Sequence, residues 1–245
     1  MVDIQSKTKL SRLNSSKDYT NLLGMYKDMH KASDGMFNGR SLLKFVDIIK
    51  AYLEANECKS ILDYGCGKGI LYSDNYDDLT NEIDSPLHKH WNLDDYELFD
   101  PAYEEHSKLP VHKKDAVICT DVLEHVAEDD LDWVVTEIFS YAKKIVFLNV
   151  ACFKALKVLP DGRNAHISVF SPNDWLQMLA EKSRKFKHLK IYLFADTIED
   201  QDTKTFYTEG YRIDQYPRIM KLEKIEELSL IHISEPTRLL SISYA

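Results

Sequence analysis

The sequence predicts an α/β protein in which helices cover a doubly wound, mostly parallel sheet. Apolar runs of buried-strand length alternate with segments of helical periodicity, which is the order that builds such a sheet. The first apolar run, at Ile61 and Leu62, leads into Asp63 and a glycine-rich turn. Three of the eight glycines fall within Gly65–Gly69. Glycine permits positive φ and close approach, so this turn is expected to leave backbone N–H groups facing a ligand.

Composition and charge limit the classes of protein to which this chain can belong. The hydrophobic share of 44% supports a core, and a mean hydropathy of -0.36 without a long apolar run predicts no membrane span. The polar start, Met1–Lys17, carries no recognisable signal peptide, so a cytoplasmic location is expected. A net charge of -9 argues against binding to nucleic-acid backbones. The four cysteines have no metal-ligand spacing, which predicts reduced thiols, and no metal site is predicted.

Two helices are predicted ahead of the first strand. Leu22, Met25, Tyr26 and Met29 have helical spacing within Asp18–His30. Ser41 is the predicted N-cap of a second helix that continues to Ala55. Residues 1–56 are therefore predicted to form a helical cap, and residues 57–227 the ligand-binding domain.

The later elements follow in α/β order. Between residues 70 and 95 no clean period occurs, so a short helix and a loop are expected there. Strands are predicted at Tyr96–Asp100, Asp115–Thr120, Lys144–Val150, Lys190–Phe194 and Thr205–Tyr207, and helices at Glu128–Tyr141 and from Pro172 onward. Because ligands of open α/β sheets lie outside the carboxyl ends of the strands, Thr120 and Asp121 are expected to line a cleft.

The glycine turn also indicates a ligand class. A dinucleotide-binding turn needs its third glycine at position 70, where Ile70 stands. The pattern Asp63-x-Gly-x-Gly-x-Gly instead resembles motif I of class I S-adenosylmethionine (SAM) methyltransferases. In that family the loop sits against the amino-acid end of SAM, and a carboxylate suits its ammonium and sulfonium charges. A glycine turn without a ligand is the alternative.

Three further motifs extend the resemblance: Phe99–Ala102, Cys119–His125 and Leu159–His166. Together with motif I they are similar to a bacterial and phage group of small class I SAM methyltransferases. The resemblance implies that Asp100 accepts hydrogen bonds from the ribose hydroxyls of SAM; a turn residue is the alternative. Only eight residues separate Asp100 from Leu109, too few for the family's next helix and strand, so a shortened sheet is expected. The predicted cofactor-binding residues are Asp63, Gly65, Cys66, Gly67, Gly69, Asp100, Thr120 and Asp121.

A polar cluster follows the predicted turn at Pro160-Asp161-Gly162. His166 is the first candidate for a general base, because imidazole titrates near neutral pH, and His125 is the second. The alternative is a loop clamp, in which His166 and Asn164 satisfy backbone groups. The predicted substrate-binding residues are Tyr26, His30, Arg163 and Asn164.

The sequence therefore predicts SAM-dependent methyl transfer to a small-molecule or sugar-type acceptor. No Asp/Asn-Pro-Pro-aromatic motif follows the fourth strand, so DNA methylation is disfavoured and no nucleic-acid or membrane partner is expected. The alternative is a non-catalytic module that binds SAM or its product S-adenosylhomocysteine (SAH) as a sensor or partner protein. The two differ in whether the cleft leaves room beside the sulfonium.

The C-terminal segment, residues 228–245, has a different origin in this interpretation. It looks like the in-frame translation of a sequencing-library adapter, with Leu239–Ser241 in the place of a sample index. The natural chain is then expected to continue differently after Glu227. The predicted fold and function therefore rest on residues 1–227.

Overall fold

A single seven-stranded sheet organises the computed structural model, which describes residues 9–33, 35–74, 83–200, 205–214 and 218–222. The strands are β1 Ser60–Tyr64, β2 Asp95–Phe99, β3 Lys114–Thr120, β4 Ala142–Ala151, β5 Lys190–Asp200, β6 Thr205–Asp214 and β7 Arg218–Leu222. Their order across the sheet is β2-β1-β3-β4-β5-β6-β7. Strands β1 to β5 are mutually parallel, whereas β6 is antiparallel to both β5 and β7. This architecture confirms the predicted α/β class with a mostly parallel sheet.

Five α-helices accompany the sheet in the described residues: α1 Lys17–Ala32, α2 Val46–Ala55, α3 Leu87–His90, α4 Leu131–Tyr141 and α5 Pro172–Ser183. Local sequence explains where two of them begin. The Ser16 side chain accepts a hydrogen bond from the N–H of Tyr19 at the start of α1. Ser171 and Asp174 form a capping box at the start of α5, next to Pro172. The helices predicted at 18–30 and from 172 are confirmed.

Apolar side chains cover both faces of the sheet because successive residues of a strand point to opposite sides. Ile61 and Phe147 pack against α2 on one face. Leu62 and Leu148 pack against α4 and α5 on the other. The parallel strands are thus buried on both faces, which is why they could be predicted from short apolar runs.

The two N-terminal helices play different parts. Leu22 of α1 packs against Leu159 and Ala165, in the loop that follows β4. By contrast, Ile49 of α2 shares a core with Ile61 of the sheet. Thus α1 covers the loop after β4, whereas α2 packs directly on the sheet. The division of the chain into a helical cap at residues 1–56 and a domain at residues 57–227 stays a prediction.

The start of the second helix also differs from the prediction. Gly39 has a φ of 82° and begins a 3-10 helix over Arg40–Phe45, which leads into α2. Ser41 lies inside that turn, and the N-cap positions of the 3-10 helix and of α2 are Gly39 and Phe45. A backbone hydrogen bond from Leu42 N–H to the Gly39 carbonyl begins the helical segment. This segment therefore starts earlier than predicted from Ser41 as the N-cap.

The segment between β2 and β3 is short, as predicted from the spacing of Asp100 and Leu109, and it adds no strand to the sheet. Residues 101–113, between β2 and β3, contain only a short 3-10 helix at Glu104–His106. Strand β2 therefore forms the edge of the sheet. At the other edge, β7 was not predicted. Its five residues are exposed or half-buried, so the strand contains no buried apolar run.

The structure bears on the predicted state of the cysteines and on the predicted lack of a membrane span. All four cysteines are free, and Cys58, Cys66 and Cys119 are buried. In the described part of the chain, no helix combines the length and apolar character needed to cross a bilayer. Residues 228–245, the adapter-like segment, lie outside the described residues.

Candidate functional site

The carboxyl ends of β1, β2 and β3 meet at one edge of the sheet and carry the predicted acids. Asp63 lies at the end of β1, Asp100 directly follows β2, and Asp121 directly follows β3. Since β2, β1 and β3 are neighbours and parallel, these residues share the edge at which α/β proteins bind ligands. The grouping of the acids at one edge is what strand order predicts.

The glycine loop after β1 is held entirely by bonds within the chain. Its five successive backbone N–H groups, at residues 65–69, all donate to protein acceptors. The expectation that these groups face a ligand is therefore corrected: the chain itself uses them. Their acceptors are the Phe99 carbonyl for Gly65 and Cys66, the Asp100 carboxylate for Gly67, the Phe37 carbonyl for Lys68 and the Cys66 carbonyl for Gly69.

Glycine is nevertheless required at three positions of the loop. Gly65, Gly67 and Gly69 have φ values of 86°, 57° and 60°, a region that other residues rarely adopt. A Cβ atom on Gly65 would lie 2.2 Å from a methyl group of Val122, and one on Gly67 would lie 2.3 Å from the Phe37 carbonyl oxygen. The loop owes its glycines to close packing of the protein around it.

Asp63 is a buried carboxyl group with one identified donor. Its Oδ2 accepts a hydrogen bond of 2.9 Å from the Tyr72 hydroxyl. Burial, together with the nearby charge of Asp100, raises its pKa to about 7, although the Tyr72 bond acts in the opposite direction. A carboxyl group in this state can take up a negative charge near neutral pH when a cationic group binds beside it.

Asp100 ties the end of β2 to the glycine loop. Its Oδ2 accepts from the Gly67 N–H at 3.0 Å and its Oδ1 from the Ala102 N–H at 2.8 Å. This is the turn arrangement that sequence analysis kept as an alternative. Carboxylate oxygens can accept more than one hydrogen bond, so the ribose role implied by the resemblance stays a prediction.

Residues after β3 form the second part of the site. Thr120 is buried at the strand end, and Asp121 follows with a φ of 59°, which is unusual for a non-glycine residue. This conformation places an Asp121 oxygen 3.8 Å from Nε2 of His125. The neighbouring Cys66 thiol is buried, which raises its pKa well above the usual value, so it is not activated as a nucleophile.

His125 is bound through its Nδ1 atom. That nitrogen lies 2.9 Å from the Ala165 carbonyl and 2.9 Å from the Tyr26 hydroxyl. Burial lowers the pKa of His125, but the nearby carboxylates of Asp121 and Glu124 outweigh it, and the pKa lies above its usual value. Tyr26 of α1 thus contacts His125, and its substrate-binding role stays a prediction.

His166 lies beside His125 and is also bound through Nδ1. The two rings are edge to face with centroids 5.0 Å apart, and His166 Nδ1 lies 2.5 Å from the Phe153 carbonyl. Burial lowers the pKa of His166. The structure therefore brings together the two histidines that the sequence analysis proposed as bases.

The other two polar residues of the loop act as clamps. The Asn164 amide accepts from Ala155 N–H and His166 N–H and donates to the Ala155 carbonyl. Arg163 pairs with Asp161 in the same turn and with Asp18 of α1, in each case at 2.8 Å. These contacts fix the loop against α1, so a substrate role for Asn164 or Arg163 stays a prediction.

His30, the last predicted substrate-binding residue, packs against Phe37, which lies between α1 and the 3-10 helix at Arg40–Phe45. Its ring stacks on Phe37 at a centroid distance of 4.3 Å and tilts against Tyr103 at 5.2 Å. Its Nδ1 is buried and has no hydrogen-bond partner in the described part of the chain. Burial lowers its pKa, although the charge of Asp100 opposes this. His30 thus contacts Phe37, whose carbonyl accepts a hydrogen bond from Lys68 in the glycine loop.

Glu124 is a further residue of the site and lies within the motif Cys119–His125, although it is not among the predicted site residues. It is 0% exposed; its Oε1 accepts from Ala151 N–H, and its Oε2 has no partner among the described residues. Burial and the charge of Asp121 raise its pKa to about 8. Its position in the sequence, directly before His125 and three residues after Asp121, is the feature by which Glu124 could have been predicted as a site residue.

Comparison with known proteins gives a distant structural likeness. No family model and no curated protein sequence matches the chain. Among solved structures, the chain is similar to magnesium protoporphyrin IX methyltransferase from Synechocystis PCC 6803, determined with bound SAH. The TM-score is 0.37 at 18% identity, and the match covers 83% of this chain and 95% of the other.

Proposed function

We propose that this chain transfers a methyl group from SAM to a small-molecule or sugar-type acceptor. The observation that carries the proposal is the pair of acids, Asp63 and Asp100, which end two adjacent parallel strands on either side of the glycine loop. This is the arrangement that the resemblance to class I SAM methyltransferases implies. A cytoplasmic location remains part of the same proposal.

The carboxyl groups at this edge of the sheet suit the cationic groups and the hydroxyl groups of SAM. Asp63 has a pKa of about 7 because it is buried, and a cationic ammonium group beside it would favour its ionised form. Each Asp100 oxygen accepts one backbone N–H bond, and a carboxylate oxygen can accept a further bond from a hydroxyl group. The carbonyl of Phe37 lies over Gly67 and bonds to Lys68 N–H at 2.8 Å. Binding beside Gly67 therefore requires this segment to shift.

The chemistry divides between cofactor and protein. SAM supplies an electrophilic methyl group on its sulfonium. The protein has to hold the acceptor in line with that methyl group and, for an oxygen or nitrogen acceptor, take up a proton. The Nδ1 atoms of His125 and His166 face backbone carbonyls, so the free nitrogen of each ring is Nε2. His166 Nε2 is the first candidate for accepting the proton, and His125 Nε2 the second.

Calorimetry with SAM and SAH is the first test. We expect binding of both ligands to the wild-type chain, and weaker binding to Asp100→Ala. The matched control is Glu105→Ala, which removes an exposed acid from the segment after the same strand. Absence of binding at millimolar ligand would contradict the proposal.

Transfer of labelled methyl groups from SAM to pools of small metabolites is the second test. Label that appears in a product supports the enzyme and identifies the acceptor. Tight SAM binding without transfer to any pool, and without slow SAM hydrolysis, would instead indicate the non-catalytic binding module.

A further inference from the structure

Three side chains at the carboxyl edge of the sheet converge in a way that the sequence analysis did not predict. Asp121, His125 and His166 each present one ligand atom, and these atoms all lie within 4.8 Å of one another. Asp121 and His125 follow β3, whereas His166 comes from the loop after β4. Two separate segments of the chain thus supply the group.

The separations are close to those of a metal centre. Ligands at about 2.1 Å from one cation lie at most about 4.2 Å apart. The Asp121 oxygen and His125 Nε2 are 3.8 Å apart, and all three ligand atoms lie within 4.8 Å of one another. Binding one cation therefore requires a pair at this upper limit to approach by about 0.6 Å for ligands on opposite sides of the cation, and by somewhat more than about 1 Å for a tetrahedral arrangement. Asp121 is exposed and both histidines are partly exposed, so rotation of these side chains is the movement that the proposal requires.

Both histidines are oriented as metal ligands are. A metal-bound imidazole donates its other N–H to a carbonyl or carboxylate, which fixes the tautomer. Here Nδ1 of His125 lies 2.9 Å from the Ala165 carbonyl, and Nδ1 of His166 lies 2.5 Å from the Phe153 carbonyl. The Nε2 lone pair of each ring is left for a ligand.

A buried carboxylate oxygen next to this group lacks a partner. Oε2 of Glu124 has no hydrogen bond in the described part of the chain, and its residue is 0% exposed. Glu124 directly precedes His125 in the same 3-10 turn. An unpartnered buried acid is costly, and a nearby cation would offset that cost.

We propose that Asp121, His125 and His166 bind one divalent transition-metal cation, with Glu124 as the adjacent buried acid. Two imidazole nitrogens and a carboxylate favour zinc, iron, cobalt, nickel or manganese over magnesium or calcium. Cation binding does not depend on methyl transfer. It is also incompatible with a free His166 base, because both uses need the same Nε2 lone pair.

The test is a titration of chelator-treated protein with Co²⁺, followed by visible absorption and calorimetry. The wild-type chain is expected to bind one equivalent with a visible band of imidazole coordination. His166→Ala and Asp121→Asn are each expected to lower affinity at least about 10-fold. The controls are His112→Ala and Asp94→Asn, which alter exposed residues away from the cluster and should leave affinity unchanged.

A second measurement needs no variant and covers the case in which a substitution disturbs folding. In the wild-type chain, substoichiometric Mn²⁺ should broaden the imidazole NMR signals of His125 and His166 before those of the other histidines. Equal broadening of all histidines, or Co²⁺ affinity that is unchanged in folded His166→Ala and Asp121→Asn, would overturn the proposal. No Co²⁺ binding to the wild-type chain would do so as well, and SAM calorimetry on the same sample tests the proposed function separately.

Discussion

The backbone carbonyl oxygen of Phe37 lies 2.3 Å from the point where a Cβ atom on Gly67 would stand. The same oxygen accepts the N–H of Lys68 at 2.8 Å. The loop of Phe37 is thus fastened directly onto the glycine turn, and Phe37 itself has a φ of 56°. A substitution at Gly67 therefore acts on protein packing before it acts on any ligand.

Gly67→Ala is expected to destabilise the fold by roughly 2–5 kcal/mol. About 1–2 kcal/mol comes from a positive φ with a Cβ atom, and about 1–3 kcal/mol from the contact with Phe37. Chemical denaturation measures the loss.

Two other glycines separate these contributions. Gly162 has a φ of 88° but open space around it, so Gly162→Ala should show only the backbone cost. Gly24 in α1 also has open space and an ordinary φ, so Gly24→Ala should stabilise by about 0.5–1 kcal/mol. A Gly67 variant no less stable than the Gly162 variant would show that Phe37 yields freely.

The buried carboxyl of Asp63 predicts a particular pH dependence of stability. Its pKa is about 7 in the folded chain, against an ordinary value of 3.8. Between these values the folded chain binds a proton that the unfolded chain has lost. The stabilisation is therefore complete below about pH 4 and is lost as pH rises through 7, by an amount on the order of 4 kcal/mol.

Asp63→Asn should remove this contribution, so the free energy of unfolding should fall less between pH 5 and pH 8 than in the wild-type chain. Denaturant titrations at several pH values measure it. Glu105→Gln, an exposed acid, is the control and should keep the wild-type slope. Parallel pH profiles for wild type and Asp63→Asn would show that Asp63 is ionised throughout this range.

Much of the fold could be predicted because burial determined it. Strands β3 and β4 are apolar runs buried on both faces, and α1 and α5 carry caps and helical periodicity in the local sequence. The predicted start of the second helix at Ser41 was wrong. The helical segment begins at a turn in which Gly39 has a positive φ, and a serine two residues later does not indicate that turn.

The site could be predicted only in part for a similar reason. Strand order placed Asp63, Asp100 and Asp121 at one edge, so these positions followed from topology. The partners of each group did not. The unpartnered oxygen of Glu124 and the carbonyls that fix His125 and His166 come from distant segments, and no local pattern records such contacts.

Arg12 is another residue whose role depends on tertiary contacts. It pairs with Glu137 of α4, donates to the Tyr64 hydroxyl at 2.8 Å and lies over the rings of Phe99 and Trp133, at 5.2 Å from each centroid. Arg12→Lys keeps the charge but loses the planar fork and the stacking. We expect a loss of about 1–3 kcal/mol in the free energy of unfolding.

A double-mutant cycle with Glu137→Gln tests whether the pair itself is responsible. Coupling of about 0.5–3 kcal/mol is expected for residues in one network. Additive losses from Arg12→Lys and Glu137→Gln would instead assign the effect to ring stacking alone.

Asp100 offers the sharpest separation between a structural and a cofactor-binding role. Its two oxygens accept from Gly67 N–H and Ala102 N–H. An asparagine has one carbonyl oxygen, so Asp100→Asn keeps one of these bonds and turns an amide donor toward the other N–H. The expected cost to stability is about 1.5–3 kcal/mol, the range for hydrogen bonds to a charged group.

The same variant tests the ribose contact that the resemblance implies. If Asp100 also accepts from the ribose hydroxyls, Asp100→Asn should weaken SAM binding about 10- to 150-fold, the factor that corresponds to 1.5–3 kcal/mol. An analogue without the ribose hydroxyls should lose much less affinity on the same substitution. Calorimetry with both ligands on both proteins gives the comparison. Equal losses for the two ligands would mean that Asp100 acts only by shaping the glycine loop, since a distorted loop penalises both ligands alike whereas a missing hydroxyl contact penalises only SAM.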